Sequence, residues 1–291
     1  MARSIFSVII AAFLSVVASA AQVVLVDDLG RTVRLDAPAR CIVSLAPSIT
    51  ESFFAIGAGD QVCGVTDYCT YPEAATTKRH VGGMTTPNIE EIVSLHPDLI
   101  VVSMEGNTRQ DFDRLTRLGI PAFVSNPRTV AGIYRSLEQL GALSGHSPDA
   151  ERLVRSLKAR EDSLVPSRDS KRERVLLFIS LDPLIAAGNN TFINDMLARA
   201  GAVNLAATAT GSYPALSREA VLTDDPDALV LTSDLAGDVP ALLKRFPEWK
   251  RLTAVQRGRV YRINPDLISR PGPRAVDGLE LLVHFFRSTS P

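Results

Sequence analysis

Few side chains in this sequence are spaced for catalysis. The four histidines, His80, His96, His146 and His284, are scattered, and none pairs with another at the spacing of two metal ligands on one helix. His96 stands before Pro97, where a helix must stop, so closing that helix is its expected role. His284 falls in a terminal helical segment and is expected to pack or face solvent. There is no G-x-S-x-G elbow, no phosphate-binding P-loop and no H-E-x-x-H pair. The three cysteines, Cys41, Cys63 and Cys69, lack C-x-x-C spacing. An oxidising compartment permits one disulfide among them, and burial as small apolar residues is the alternative. No enzyme and no protein-held metal is expected from this set.

Binding chemistry is better supplied. Thr66–Pro72 carries Tyr68 and Tyr71, residues 81–88 carry Met84, and residues 103–107 are polar around Gly106. Later, residues 211–214 carry Tyr213, and residues 264–274 carry Asp266 and Arg270. Each segment follows an apolar run or precedes a helical one. In open parallel sheets, ligands bind beyond the carboxyl ends of the strands. Two such loop sets facing each other would form a cleft lined by Tyr68, Met84, Tyr213 and Arg270.

An internal repeat describes the elements that must position these loops. Residues 88–102 align without a gap on residues 217–231, an offset of 129 residues. Glu90 falls on Glu219, Pro97 on Pro226 and Asp98 on Asp227. Each copy opens on an N-cap, Asn88 or Ser217, runs through a short helix, stops at Pro and continues as an apolar strand. Further strands are expected at Cys41–Leu45, Val62–Val65, Ala122–Val124, Val175–Ile179 and Val260–Ile263. Helices are expected at Thr50–Ile56, Val130–Leu143, Asn194–Ala200 and Ala275–Phe286. Continuously apolar strands alternating with helices indicate an α/β protein with central parallel sheets in two Rossmann-like lobes.

The halves divide as an N-terminal lobe over residues 21–146, a connecting helix over 147–166 and a C-terminal lobe over 167–291. The connector begins Ser-Pro-Asp, read as an N-cap with Pro at the first helical position. Leu153, Val154, Leu157 and Leu164 form its apolar stripe. About 19 helical residues would make a stiff rod of about 28 Å, not the flexible tether of a Gly/Ser linker.

Composition excludes other classes. The chain has 291 residues, 46% hydrophobic and 22% charged, as globular domains do. Thirty-one basic against 32 acidic side chains give a net charge of −1, with no basic field for nucleic acid. Arg3, the apolar run Ile5–Val17 and Ala18-Ser19-Ala20 read as a secretory leader cut after Ala20. No cysteine stands at that cut, so a lipid anchor is not indicated. Export to the periplasm is expected.

The segments Ile42–Glu51, Thr66–Pro72, Asn88–Val102, Ser217–Leu222 and Arg270-Pro-Gly-Pro-Arg274 together resemble the helical-backbone class of periplasmic substrate-binding proteins of ABC importers. The likeness covers about Arg40 to Phe286, and the cobalamin-binding members are nearest in pattern. It implies two lobes joined by one long rigid helix, a ligand cleft between them, a monomer, and a permease dimer with its ATPase as partner. It assigns Tyr68, Met84, Tyr213, Asp266 and Arg270 to the ligand, expected to be cobalamin or a related corrinoid. Two aromatic cleft positions of the class fall on Met84 and Ser103, and the single tryptophan, Trp249, lies elsewhere. Haem is the alternative, with Tyr68 or Tyr213 as axial ligand and Arg270 on a propionate; a ferric siderophore comes next. An envelope enzyme or a sensor protein is the reading from a different class. One Glu per lobe docks the permease in this class, which implies Glu90 and Glu219. Glu91 stands at the capping-box position, leaving Glu90 free to point outward.

Overall fold

A computed structural model describes residues 22–164, 172–235 and 237–287. The leader read at residues 1–20 lies outside them, as do the last two residues of the connecting helix read over 147–166. The described chain opens on an antiparallel hairpin, β1 (Val23–Val26) and β2 (Thr32–Leu35). Asp27 ties its turn, accepting from the backbone N–H groups of Leu29 and Arg31 at 3.0 and 2.9 Å.

The first sheet contains β3 (Ile42–Ser44), β4 (Val62–Val65), β5 (Arg79–His80), β6 (Leu99–Val102) and β7 (Ala122–Val124). Their order is β5-β4-β3-β6-β7, and every pairing is parallel. Between them run α1 (Pro47–Ala55), α2 (Ile89–Ser94) and α3 (Arg109–Arg117), with α4 (Val130–Ser144) after β7. The helix expected from Thr50 starts at Pro47, because proline is pre-set for the first turn and Ala46 before it is extended. A disulfide joins Cys41 to Cys63 at the amino ends of β3 and β4, and Cys69 is a buried free thiol.

Next comes α5 (Ser147–Ser163), 17 residues, about 25 Å at 1.5 Å per residue. Its N-cap is His146 rather than Ser147, with no side-chain cap bond, because Ser147 and Pro148 are already inside the first turn. Ala150, Val154 and Leu157 are its buried stripe, while Leu153 and Leu164 pack at the margin. Gly141 of α4 faces Ala150 so closely that a Cβ there would sit 2.5 Å from the Ala150 Cβ.

The second sheet contains β8 (Glu173–Leu181), β9 (Leu184–Ala186), β10 (Ala202–Asn204), β11 (Ala228–Thr232) and β12 (Val260–Ile263). The order β10-β8-β11-β12 is parallel, with β9 turned back antiparallel on β8. Its helices are α6 (Phe192–Arg199), α7 (Arg218–Asp224), α8 (Val239–Arg245), α9 (Thr253–Gln256), α10 (Pro265–Ile268) and α11 (Ala275–Arg287). Trp249 is fully buried here, stacked on Phe246 with ring centroids 4.3 Å apart. One buried cluster runs from the first sheet through α4, α5, α6 and α11 into the second.

The repeat is structural. Asn88 caps α2 through the N–H of Glu91, and Ser217 caps α7 through the N–H of Ala220. Beyond each helix an equivalent residue takes a left-handed turn, His96 at φ 48° and Asp225 at φ 38°, and Pro follows. His96 thus closes its helix as its place before Pro97 implied. Asp98 then accepts from the N–H groups of Arg40 and Cys41, at 2.8 and 2.9 Å, where β3 begins. Asp227 accepts from the N–H of Arg174 at 3.0 Å, in β8. In each half the same aspartate pins the start of the sheet's central strand.

Candidate ligand cleft

In the first sheet β4 and β5 lie on one side of β3 and β6 on the other, so the chain changes direction between β3 and β6. That crevice is where parallel sheets receive ligands. A cleft of about 380 Å³ opens there, lined by Ala46, Pro47 and Ser48 after β3 and by Ser103 and Glu105 after β6. Tyr68 and Met84 close it from neighbouring loops of the first half. Tyr213, Ser269, Arg270 and Pro271 face them from the second half.

The walls are held from behind. Asn107 accepts from the N–H of Ser103 and donates to the carbonyls of Leu45 and Met84 at 3.0 and 2.8 Å, which joins three lining loops. The Met84 side chain crosses Gly106, where a Cβ would stand 1.9 Å from the Met84 Cε. Tyr68 is 59% exposed and projects from a loop tied at Asp67 to the carbonyl of Gly82. The Tyr213 loop is stitched to the chain after β8: Ala186 N–H donates to the Pro214 carbonyl at 3.0 Å, and Gly188 N–H to the Ser212 carbonyl at 2.8 Å. The Tyr213 hydroxyl lies 3.4 Å from Glu105 across the cleft. Burial of that hydroxyl, then the Glu105 charge, pushes its pKa up to about 12.

The floor is ionic. Glu51 of α1 has only 2% of its side chain exposed. Its Oε1 accepts from Arg270 at 2.8 Å, and its two oxygens take a forked pair of bonds from Arg274 at 2.8 and 2.7 Å. Asp266 flanks the same guanidinium groups, 2.8 Å from Arg270 and 3.6 Å from Arg274. Asp266 therefore stands behind Arg270, outside the lining set. Gly272 rests on α1, where a Cβ would meet the Ser48 carbonyl at 3.2 Å. At the rim, Arg128 pairs with Glu105 at 3.1 Å and donates to the Asn190 carbonyl at 3.2 Å, reaching from one half to the other. Among the described residues no group of three or more His, Cys, Asp or Glu could hold a metal ion.

A model of the periplasmic binding protein family matches residues 42–267. The chain belongs to that family. An uncharacterized ABC transporter substrate-binding lipoprotein of Bacillus subtilis, YvrC, is 35% identical over 83% of this chain and 78% of its own length. The periplasmic vitamin B12 binding protein BtuF of Vibrio cholerae superposes with a TM-score of 0.76 at 28% identity, covering 86% of this chain and 97% of that one. The periplasmic heme-binding protein RhuT of Roseiflexus sp. RS-1 superposes at 0.75 and 26%, covering 86% and 98%. Members of this family are transport binding proteins rather than enzymes, the substrate-binding components of ABC importers.

In this binding protein, Tyr68, Met84, Tyr213 and Arg270 do come together around one cleft. Sequence reasoning missed Glu51, Glu105, Arg128 and Arg274 as parts of it. Glu51 and Arg274 lay inside the segments that carried the family likeness, and Glu51 is the one charged residue of α1, a signal that does not name its partner. Away from the cleft, Glu90 and Glu219 are both exposed. Glu219 folds back on its own N–H and the Ser217 hydroxyl, which holds its carboxyl below the ordinary range. Glu91 departs from the expected capping box: Arg79 captures its carboxylate at 2.6 Å, a stronger partner than a backbone N–H, and lowers its pKa.

Proposed function

We propose that the protein captures a corrinoid, cobalamin or a close relative, in the cleft between its halves and delivers it to an ABC-type inner-membrane importer. The observation that carries the reading is the pairing of walls: Tyr68 and Met84 on one side, Tyr213 on the other, with Arg270 at the base. Large rigid ligands are held by apolar and aromatic faces, with a few polar groups fixing orientation. The Tyr213 hydroxyl, already 3.4 Å from Glu105, is a hydrogen-bonding group that a ligand amide could engage. In this reading Asp266 acts through Arg270, and the leader is removed after Ala20 as the chain enters the periplasm, where it works as a monomer.

Docking falls to Glu90 and Glu219. They occupy the same place in the two repeated helices, one per half, and both are exposed. A two-fold permease would meet them with equivalent cationic residues. Exposed ion pairs are worth about 0–1 kcal/mol each, so they would set register more than affinity.

Thermal unfolding of the mature protein tests the ligand. Cyanocobalamin at 100 times its dissociation constant should add about 2.7 kcal/mol of stability. An unmoved transition with cyanocobalamin, beside a clear upward shift with haemin, would transfer the protein to the haem carriers.

A further inference from the structure

We propose that the cleft selects a ligand whose rim is uncharged and hydrogen-bonding, and rejects one bearing free carboxylates, with Glu51 setting that preference from behind Arg270. The inference rests on the cleft being the ligand site and adds which chemical class it takes.

The charges around the cleft cancel. Three guanidinium groups, Arg270, Arg274 and Arg128, face three carboxylates, Glu51, Asp266 and Glu105. Arg270 is the cation that lines the cleft, and it is already held by Glu51 and Asp266, each at 2.8 Å. Glu51 cannot swing away to water: it is almost fully buried, it is gripped on both oxygens, and Gly272 seats the arginine loop on the helix that carries it. An arginine has five N–H donors, so Arg270 retains donors for a neutral carbonyl. What it lacks is surplus positive charge to offset the desolvation of a ligand carboxylate. At the rim, Glu105 offers an acceptor to an amide N–H, while a ligand carboxylate there would meet a like charge. A ligand carrying several amides satisfies both groups, as donor to Glu105 and acceptor from Arg270.

The test compares cyanocobalamin, the same molecule with one side-chain amide hydrolysed to a carboxylate, and haemin with its two propionates. Equilibrium binding is measured to the mature protein and to Glu51→Gln. The wild type should bind the amide at least about tenfold more tightly than its monocarboxylate, and haemin more weakly than either. Glu51→Gln leaves one positive charge in excess. It should shrink the amide-to-carboxylate ratio at least about fivefold, and the change should fade as salt is raised. A merely structural role for Glu51 would weaken both ligands together and leave the ratio fixed. Equal wild-type affinity for the two corrinoids, or an unchanged ratio in a folded Glu51→Gln protein, overturns the proposal. Should Glu51→Gln fail to fold, Asp266→Asn removes the more exposed carboxylate and must shift the ratio in the same direction; no shift overturns it. Should neither corrinoid bind, the corrinoid reading fails by itself. The charge inference is then decided on haemin: at least about fivefold tighter binding by Glu51→Gln supports it, and unchanged binding overturns it.

Discussion

Tyr213 joins the two halves of the cleft through a single hydroxyl. Its pKa rises from 10.0 to about 12, burial first and the Glu105 carboxylate second, so it ionises later than an ordinary phenol. The sign follows from linkage. An unfolded chain loses this proton near the ordinary value while the folded chain keeps it, so stability from this phenol is intact below that value and declines as pH climbs through about 12. Titrating phenolate absorbance in wild type and Tyr213→Phe should show one tyrosine that ionises later than a free phenol; a difference curve centred at the ordinary value would remove the buried hydroxyl from the account. Residues of this kind were readable beforehand, because Tyr68, Met84, Tyr213 and Arg270 sit in loops beside strands, where side chains need not serve a core. The pairing of Glu51 was not readable. Glu51 lies inside a helix, and its partner Arg274 is 223 residues away in sequence, so only the closed fold brings them together.

Helices and strands set the cleft through close backbone contacts. Gly188 is one such contact: a Cβ there would meet the Pro214 Cδ at 2.7 Å and the Gly211 and Ala206 carbonyls at 2.9 and 3.2 Å. None of those atoms is a flexible side-chain end. Gly188→Ala should push the Tyr213 loop off its two backbone bonds, costing about 1–3 kcal/mol of stability by overpacking. It should also weaken ligand binding, read by denaturant unfolding and ligand titration on the same sample. Wild-type affinity in the variant would mean that the loop position is unimportant. The strands at Ala122–Val124 and Val260–Ile263 were legible residue for residue: the first is buried throughout and leaves an unbroken apolar run, while the second is β-prone despite its exposed Arg262. The hairpin β1–β2 was not, because it shows alternate burial over four residues per strand and its short apolar run merges with the end of the leader. The N-cap of α5 was misplaced by one residue because Ser-Pro reads equally well as cap plus N1 or as N1 plus N2.

At the scale of the molecule, two repeated αβ units and a continuous core produce a body with one glutamate presented from each half. Glu90→Arg combined with Glu219→Arg should abolish transport while ligand affinity stays within about twofold, because neither residue lines the cleft. Uptake by cells carrying the double variant checks this, and unimpaired uptake would return both residues to helix capping. The division into two sheets was visible in the repeat offset. The ionic floor and the arginine–glutamate pair at the rim were not, since each joins residues far apart in the chain that no local pattern relates. The most direct measurement is calorimetric titration of cyanocobalamin into the mature protein and into Tyr213→Ala. Saturable one-to-one binding to the wild type is expected, weakened by about 1–3 kcal/mol when the aromatic wall is removed. No heat of binding to the wild type, or equal affinity in Tyr213→Ala, would contradict corrinoid capture in this cleft.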